Sequence, residues 1–344
     1  MRLLVLSLFL LSSVLTAKPL EVKVVVVALF EQGNDTGDNP GEFQYWVERE
    51  KLDQIIPFPA GNRDLRFNPK TGVLGICAGV GTARAAASIM ALGLDPRFDL
   101  RKAYWLVAGI AGGDPADITI GSVAWADWVV DGDLGHEIDA REIPADWPTG
   151  YIPLRRHKPY EAPRREKTEG EIYRLNAKLV DWAFNLTKDL KLADADRLND
   201  RRARFTETPA ARTGTKVMRG DTLSASTYWH GKLMNRWAND WVHYYSEGKG
   251  NYMTTAMEDT GVMQSLTWLE KAGKAQTNRT LVLRGVSNFD SQPPGVTAPE
   301  SLAGEKLGAY AAYIESLENV HRAGSAVVRR IVADWKTFSS STPQ

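Results

Sequence analysis

The stretch LVLRGVSNFDSQPPG, residues 281–295, ends an apolar run in a crowd of hydrogen-bonding side chains: Arg284, Ser287, Asn288, Asp290, Ser291 and Gln292. A carboxylic acid such as Asp290 can transfer a proton, whereas the Asn288 amide can only donate or accept a hydrogen bond. In an alternating strand residues 288 and 290 share a face, so both are candidates for the same ligand. A second concentration of acid lies in AMEDTG (256–261), where Glu258 and Asp259 open a helix-like segment. The helix dipole favours acids in a first turn, and a carboxylate there, as a two-oxygen acceptor, also suits the vicinal hydroxyls of a sugar. Both readings stand on the sequence. Glu31, at the end of the first strand-like run, is the acid placed to activate a water.

Glycine clusters accompany these groups. GVGTARAAAS (79–88) has no third glycine at the G-x-G-x-x-G spacing and no acid at the expected later strand end, so it is not a dinucleotide loop. Amides at a helix start could hold an anion or a sugar hydroxyl there, and a tight turn with close helix packing fits equally. VAGIAGGDPADITIG carries Gly109, Gly112, Gly113 and Gly121, which suit either close approach of backbone to a ligand or plain turns.

The elements that must position these residues follow from the apolar pattern. VKVVVVALF (22–30) is a near-continuous β-branched run, as expected of a central strand covered on both faces. VLGICAG (73–79) and KAYWLVAGIAGG (102–113) repeat the theme of strand followed by glycine, and GSVAWADWVVDGD (121–133) reads as a further strand. TARAAASIMALGL and MEDTGVMQSLTWLEK have helical spacing, and the C-terminal GEKLGAYAAYIESLENVHRAGSAVVRRIVADWKTF predicts closing amphipathic helices. Strands alternating with helices and ending in glycine-rich loops point to an α/β fold with its ligand at the carboxyl ends of the strands. Residues 140–212 are charged and proline-bearing, and read as an insertion with one helix within a single domain spanning 18–344.

The 344 residues are 43% hydrophobic and carry 42 basic against 42 acidic side chains. Zero formal charge supplies no long-range attraction for nucleic acid or anionic lipid and favours a small-molecule partner. MRLLVLSLFLLSSVLTAK has one arginine, a short apolar run and small residues, the pattern of a secretory signal peptide cleaved near Ala17. A secreted or periplasmic location is therefore expected. No later run is long enough to span a bilayer. Cys77 is the single cysteine, so no intrachain disulfide is expected, and no metal site is indicated.

Taken in order, VVVVALFEQG, GVGTARAAAS, VAGIAGGDPADITIGSVAWAD, MRGDTLSAS, TAMEDTG and RGVSNFDSQ resemble the purine/uridine nucleoside phosphorylase superfamily. GDNPGEFQYW, STYWHG and SNFDSQPPG look more like one branch of it, the purine nucleoside permease family. The resemblance implies a three-layer α/β/α domain with a mixed central sheet, a homo-oligomer, and no cofactor beyond inorganic phosphate as a potential co-substrate. It implies that Met257 and Glu258 hold ribose, that Ala108, Gly109 and Gly112 line sugar and base, and that Asp221 and Ser224 border the base with Tyr228 and Trp229 close behind. It also exposes departures. Many relatives have aspartate where Asn288 stands, so Asp290 becomes the candidate acid. The arginine and serine that bind phosphate in bacterial-type phosphorylases are replaced by Val107 and Ile110, leaving Gly33 and Arg84 as weak phosphate candidates. The expectation is an exported protein that binds purine nucleosides and cleaves their N-glycosidic bond by phosphorolysis or hydrolysis. The alternative is a non-catalytic nucleoside binder that contributes to uptake.

Overall fold

The structure, a computed structural model, describes residues 18–162, 169–305 and 310–344. The leader-like segment 1–17 and six residues of the charged insertion lie outside these. The strands of the main sheet are β1 (Val24–Ala28), β2 (Gln54–Ile56), β3 (Leu65–Asn68), β4 (Val73–Cys77), β5 (Tyr104–Gly113), β6 (Val123–Trp125), β7 (Trp128–Asp131), β8 (Ile172–Arg174), β9 (Val217–Arg219), β10 (Asp221–Ser224), β11 (Tyr252–Ala256) and β12 (Thr280–Phe289). Among the described residues the order is β8-β7-β10-β11-β5-β1-β4-β3-β2, with β12 paired to β5 and β6, and β9 to β6.

The centre is parallel. β1 lies between β4 and β5, and β5 also carries β12 in the same direction. All five residues of β1 are buried, which is why the valine run shows no alternation. The antiparallel pairings lie at the two edges, between β12 and β6, and where β11 meets the end of β5 at Gly112 and Gly113.

The helices are α1 (Gln44–Arg49), α2 (Thr82–Leu94), α3 (Ala177–Thr187), α4 (Arg197–Ala203), α5 (Lys232–Tyr245), α6 (Asp259–Lys271), α7 (Ala298–Ala303), α8 (Tyr313–Ala333) and α9 (Trp335–Phe338). Neighbouring residues of β12 show how two of them are layered. Arg284 reaches Asp259 at the start of α6, while a Cβ on Gly285 would fall 2.5 Å from Val320 of α8. Successive strand residues face opposite sides of a sheet, so α6 and α8 cover opposite faces. The α/β/α arrangement with a mixed sheet is therefore as expected.

The structure corrects three local expectations. Residues 121–133 form two strands, because Asp221 Oδ1 takes the backbone N–H of Asp127 and of Trp128 at the break, and Arg219 grips the Asp127 carboxylate. The 140–212 region holds more than one helix: it contributes β8 to the sheet edge, α3 and α4. Trp125 Nε1 donates to Thr187 Oγ1 at 2.9 Å and so fastens α3 to β6. α5 was not expected; its Trp237, Ala238, Trp241 and Val242 are buried at helical spacing against the sheet. Among the described residues no helix is long and apolar enough to cross a membrane.

Candidate functional site

A cavity of about 200 Å³ opens where β1, β5, β11 and β12 end. Phe30 and Glu42 reach it from the segment after β1, Ile110 to Gly112 from β5, and Thr255 to Glu258 from the end of β11. Ser287 and Asn288 of β12 form a further wall, and Tyr228 and Tyr310 lean over it with ring planes 3° apart. A larger groove, about 420 Å³, runs outside between α2 and α6 and is mainly apolar. The smaller cavity is the one on which buried charged groups converge, and that convergence marks a ligand site.

Its floor is a buried cluster of acids around one guanidinium. Arg284 donates from Nη2 to Asp259 Oδ1 at 2.7 Å and to Glu258 Oε2 at 3.3 Å, and from Nη1 to the Ile110 carbonyl at 3.2 Å. Glu258 precedes α6 and also accepts the backbone N–H groups of Gly81 and Met257, each at 3.2 Å. Glu42 accepts the N–H groups of Leu29 and Ile110, each at 2.7 Å. Gly109 makes this assembly possible, since a Cβ there would lie 2.6 Å from both Arg284 Nη1 and Glu42 Oε1. One guanidinium cannot neutralise three carboxylates, and protons make up the difference. Burial pushes the Glu42 carboxyl up to about 8, against the pull of Arg284 and with help from Glu258. Burial likewise raises Glu258, opposed chiefly by Arg284. Burial works against the charge of Arg284, but Asp259, Glu258 and Glu42 more than offset it.

The opposite wall is uncharged and ordered by hydrogen bonds. Ser287 Oγ donates to Asn288 Oδ1 at 2.9 Å, and Asn288 Nδ2 donates to Tyr228 Oη and the Phe289 carbonyl, each at 3.1 Å. Behind Asn288 lies a recess of about 20 Å³ bordered by Asp290, Trp229, Thr227 and Tyr228. Asp290 Oδ2 accepts the Tyr252 hydroxyl at 2.5 Å, and Asn235 Nδ2 reaches both carboxyl oxygens at 3.1 Å. Burial holds its carboxyl well above the usual carboxylate range, reinforced by the charge of Asp114. β12 slips register against β5 between Val286 and Asn288, and both Asn288 and Asp290 border this recess.

The structure thus brings together Gly112, Tyr228, Met257, Glu258 and Asn288 around the cavity, with Trp229 and Asp290 at the recess. Gly109 lies beneath the cluster, and Ala108 is interior to the sheet, paired with Leu283. The remaining candidates are elsewhere. The Glu31 carboxylate is occupied by the backbone N–H groups of Gln32, Gly41, Phe43 and Gln44, so it ties down its own loop and does not line the cavity. Asp221 begins β10 at the far end from the cavity and accepts the N–H groups of Asp127, Trp128 and Asn251. Burial raises its carboxyl to about 6. Ser224 is buried under α6, where its Oγ accepts the Thr260 N–H at 3.2 Å. Arg84 is exposed on α2, and the Gly33 carbonyl is held by Arg63 at 2.9 Å; neither lines the cavity. Glu42 was missed. It stands in GDNPGEFQYW, where no spacing distinguishes it from the acids on either side. Tyr310 lies in the helical C-terminal stretch and gave no signal at all.

Comparisons with known proteins agree with this architecture. Residues 21–343 match the family model described as purine nucleoside permease. A Candida albicans protein described as a purine nucleoside permease is 29% identical over 322 residues, covering 93% of this chain and 77% of that one. A Schizosaccharomyces pombe protein described as a "probable purine nucleoside permease" is 30% identical over 281 residues, covering 79% of each. Among solved structures, a 5′-methylthioadenosine/S-adenosylhomocysteine nucleosidase from S. pneumoniae, with a transition-state inhibitor, superposes with a TM-score of 0.53. It is 14% identical, with 90% of this chain and 99% of that one covered, a likeness of fold.

Proposed function

This chain belongs to the purine nucleoside permease family, and from that premise we propose that it binds a purine nucleoside in the cavity and hydrolyses the N-glycosidic bond. The observation that carries the reading is the buried Glu42–Arg284–Glu258 cluster facing Asn288 across a space of about 200 Å³. Negative charge preorganised under a sugar stabilises the positive charge that develops as the bond to the base breaks. The family name, and the description of the fold relative as a nucleosidase, support a nucleoside as the ligand.

In this reading Glu258 holds the ribose hydroxyls. The C1′–N bond breaks and its electron pair leaves with the base, which Asp290 protonates. Water supplies the new bond to C1′, and its proton passes to Glu42. Glu42, which lines the cavity, takes the part that the sequence suggested for Glu31, which does not. Hydrolysis is favoured over phosphorolysis because the Gly33 and Arg84 candidates stand off the cavity. The leader-like composition of residues 1–17 supports export.

The direct test is to incubate the protein with inosine, adenosine and guanosine, with and without phosphate, and to assay free base. Base released equally without phosphate is the expected result. Release only with phosphate would convert the reading to phosphorolysis. Saturable binding with no base formed would establish the second reading, a nucleoside binder serving uptake, which the amide at Asn288 favours because it cannot transfer a proton.

Glu42 adds a pH dependence with a definite sign. Its carboxyl is pushed up to about 8, and below that pH it is neutral and cannot accept the proton of water. The hydrolytic kcat/KM should therefore climb by up to about tenfold per pH unit below 8 and level off above it. A flat profile from pH 6 to 9 would remove Glu42 as the base.

A further inference from the structure

We propose that Glu31 is a positioning residue for Glu42: its carboxylate fixes the backbone on both sides of Glu42, so that the Glu42 carboxylate stands at the cavity wall. The inference rests on the reading above, in which Glu42 takes the proton of water, and adds the group that aims it.

The two acids are joined by a loop that leaves the end of β1 and returns to it. The Phe30 carbonyl, two residues past β1, accepts the Glu42 N–H at 3.1 Å. The Glu31 carboxylate then closes the loop. Its Oε1 accepts the N–H of Gln32 at 2.8 Å and that of Gly41, and its Oε2 accepts those of Phe43 at 2.9 Å and Gln44 at 2.6 Å. Gly41, Phe43 and Gln44 flank Glu42 in the chain, one before it and two after, and the last two open α1. Glycine at 41 permits the approach, because a Cβ there would lie 2.7 Å from both Glu31 Cα and Oε1.

The clamp is itself anchored. Arg63 donates from Nη2 to the Glu31 carbonyl at 3.0 Å and from Nη1 to the Gly33 carbonyl at 2.9 Å. Tyr313 of α8 accepts from Gln32 Nε2 at 3.1 Å and donates to the Pro40 carbonyl at 2.9 Å. Glu31 is thus a held reference, and Glu42 is what it locates. Between the clamped neighbours, the Glu42 oxygens meet the N–H groups of Leu29 and Ile110. The residue type fits the task, since an ionised carboxylate has about four lone-pair sites on two oxygens, whereas an amide offers one oxygen. Glutamine at 31 would turn an amide nitrogen toward two of the four donors. An error of about 1 Å in placing a reacting group can cost about 10²-fold in rate.

The test is a double-mutant cycle of Glu31→Gln and Glu42→Gln, read as kcat and KM for inosine. Glu31→Gln is expected to lower kcat by about 10–10²-fold, with KM within about twofold of native because the ribose stays on Glu258. Glu42→Gln should lower kcat by about 10²–10⁴-fold. Adding Glu31→Gln to it should cost less than about twofold more, because no base is left to aim. A merely structural role would give the same loss in both backgrounds. Gly41→Ala pushes on the clamp from its other side and should repeat the pattern, which also gives an answer if Glu31→Gln does not fold. Additive losses, or native kcat in Glu31→Gln and Gly41→Ala, overturn the proposal. Native kcat in Glu42→Gln removes Glu42 as the base and the positioning with it, while the continued release of base leaves hydrolysis standing. If the native protein binds inosine without releasing base, the hydrolytic reading falls alone. The cycle is then read on Kd, where coupled losses sustain the positioning and additive ones reject it.

Discussion

Arg284→Met is expected to lower the unfolding free energy by about 3–5 kcal/mol at neutral pH, the range found when one partner of a buried ion pair is removed. Methionine restores much of the lost volume, so the penalty is electrostatic rather than steric. Asp259 loses its 2.7 Å partner, and Glu258 and Glu42 lose the charge that opposes their desolvation. The sign with pH follows. Carboxyls whose folded-state pKa is raised contribute their full stability below the ordinary carboxylate value and lose it as pH rises through the folded-state one. Without Arg284 the Glu42 and Glu258 carboxyls are raised further, so the deficit should be larger at pH 8 than at pH 5. Chemical denaturation at the two values measures it. A variant as stable as the native protein at pH 8 would show that the cluster is not held by the guanidinium.

Glu258→Gln should reduce kcat/KM by about 10²–10³-fold, the scale of losing one preorganised electrostatic group at a reacting centre, while the variant remains folded. Glutamine keeps the shape and one acceptor oxygen. It loses the negative charge offered to the sugar, and its amide nitrogen cannot accept from either the Gly81 or the Met257 N–H. The same substitution discriminates the two origins of the acid at this position. A residue that served only to cap α6 would, when replaced, lower the melting temperature and leave kcat/KM close to native. Native-like kinetics from a destabilised protein would therefore return Glu258 to a structural role.

Of the strands that carry the site, β1, β5 and β12 were legible as runs rich in apolar residues, and every residue of β1 and β12 is buried; β11 was not read as a strand. The residues at their ends were legible as a crowd of polar types after such a run: Asn288 and Glu258 line the cavity, and Asp290 borders the recess behind Asn288. What the sequence hid was partnership. Glu31 and Glu42 are two acids in one loop, and only the folded loop decides that Glu31 is spent on four backbone N–H groups while Glu42 is turned toward Arg284. Asp221 and Ser224 belong to a motif at the right place in the chain, yet a four-residue strand separates their two ends. Asp221 therefore fastens the break between β6 and β7, while Ser224 supports α6. α5 was hidden for a different reason. Its tryptophans alternate with Asn, Arg and Asp, and its apolar stripe is visible only once the helical period is imposed.

The three acids on one guanidinium also make the site a store of protons. Net negative charge is costly to keep in so enclosed a place, so Glu42, with its carboxyl pushed up to about 8, holds a proton below that pH. Positive charge arriving there, whether carried on a ligand or developing on a sugar, does the work of that proton and displaces it into solvent. Cationic occupants are thereby coupled to hydrogen-ion release, and by linkage their grip tightens as the surroundings become more alkaline.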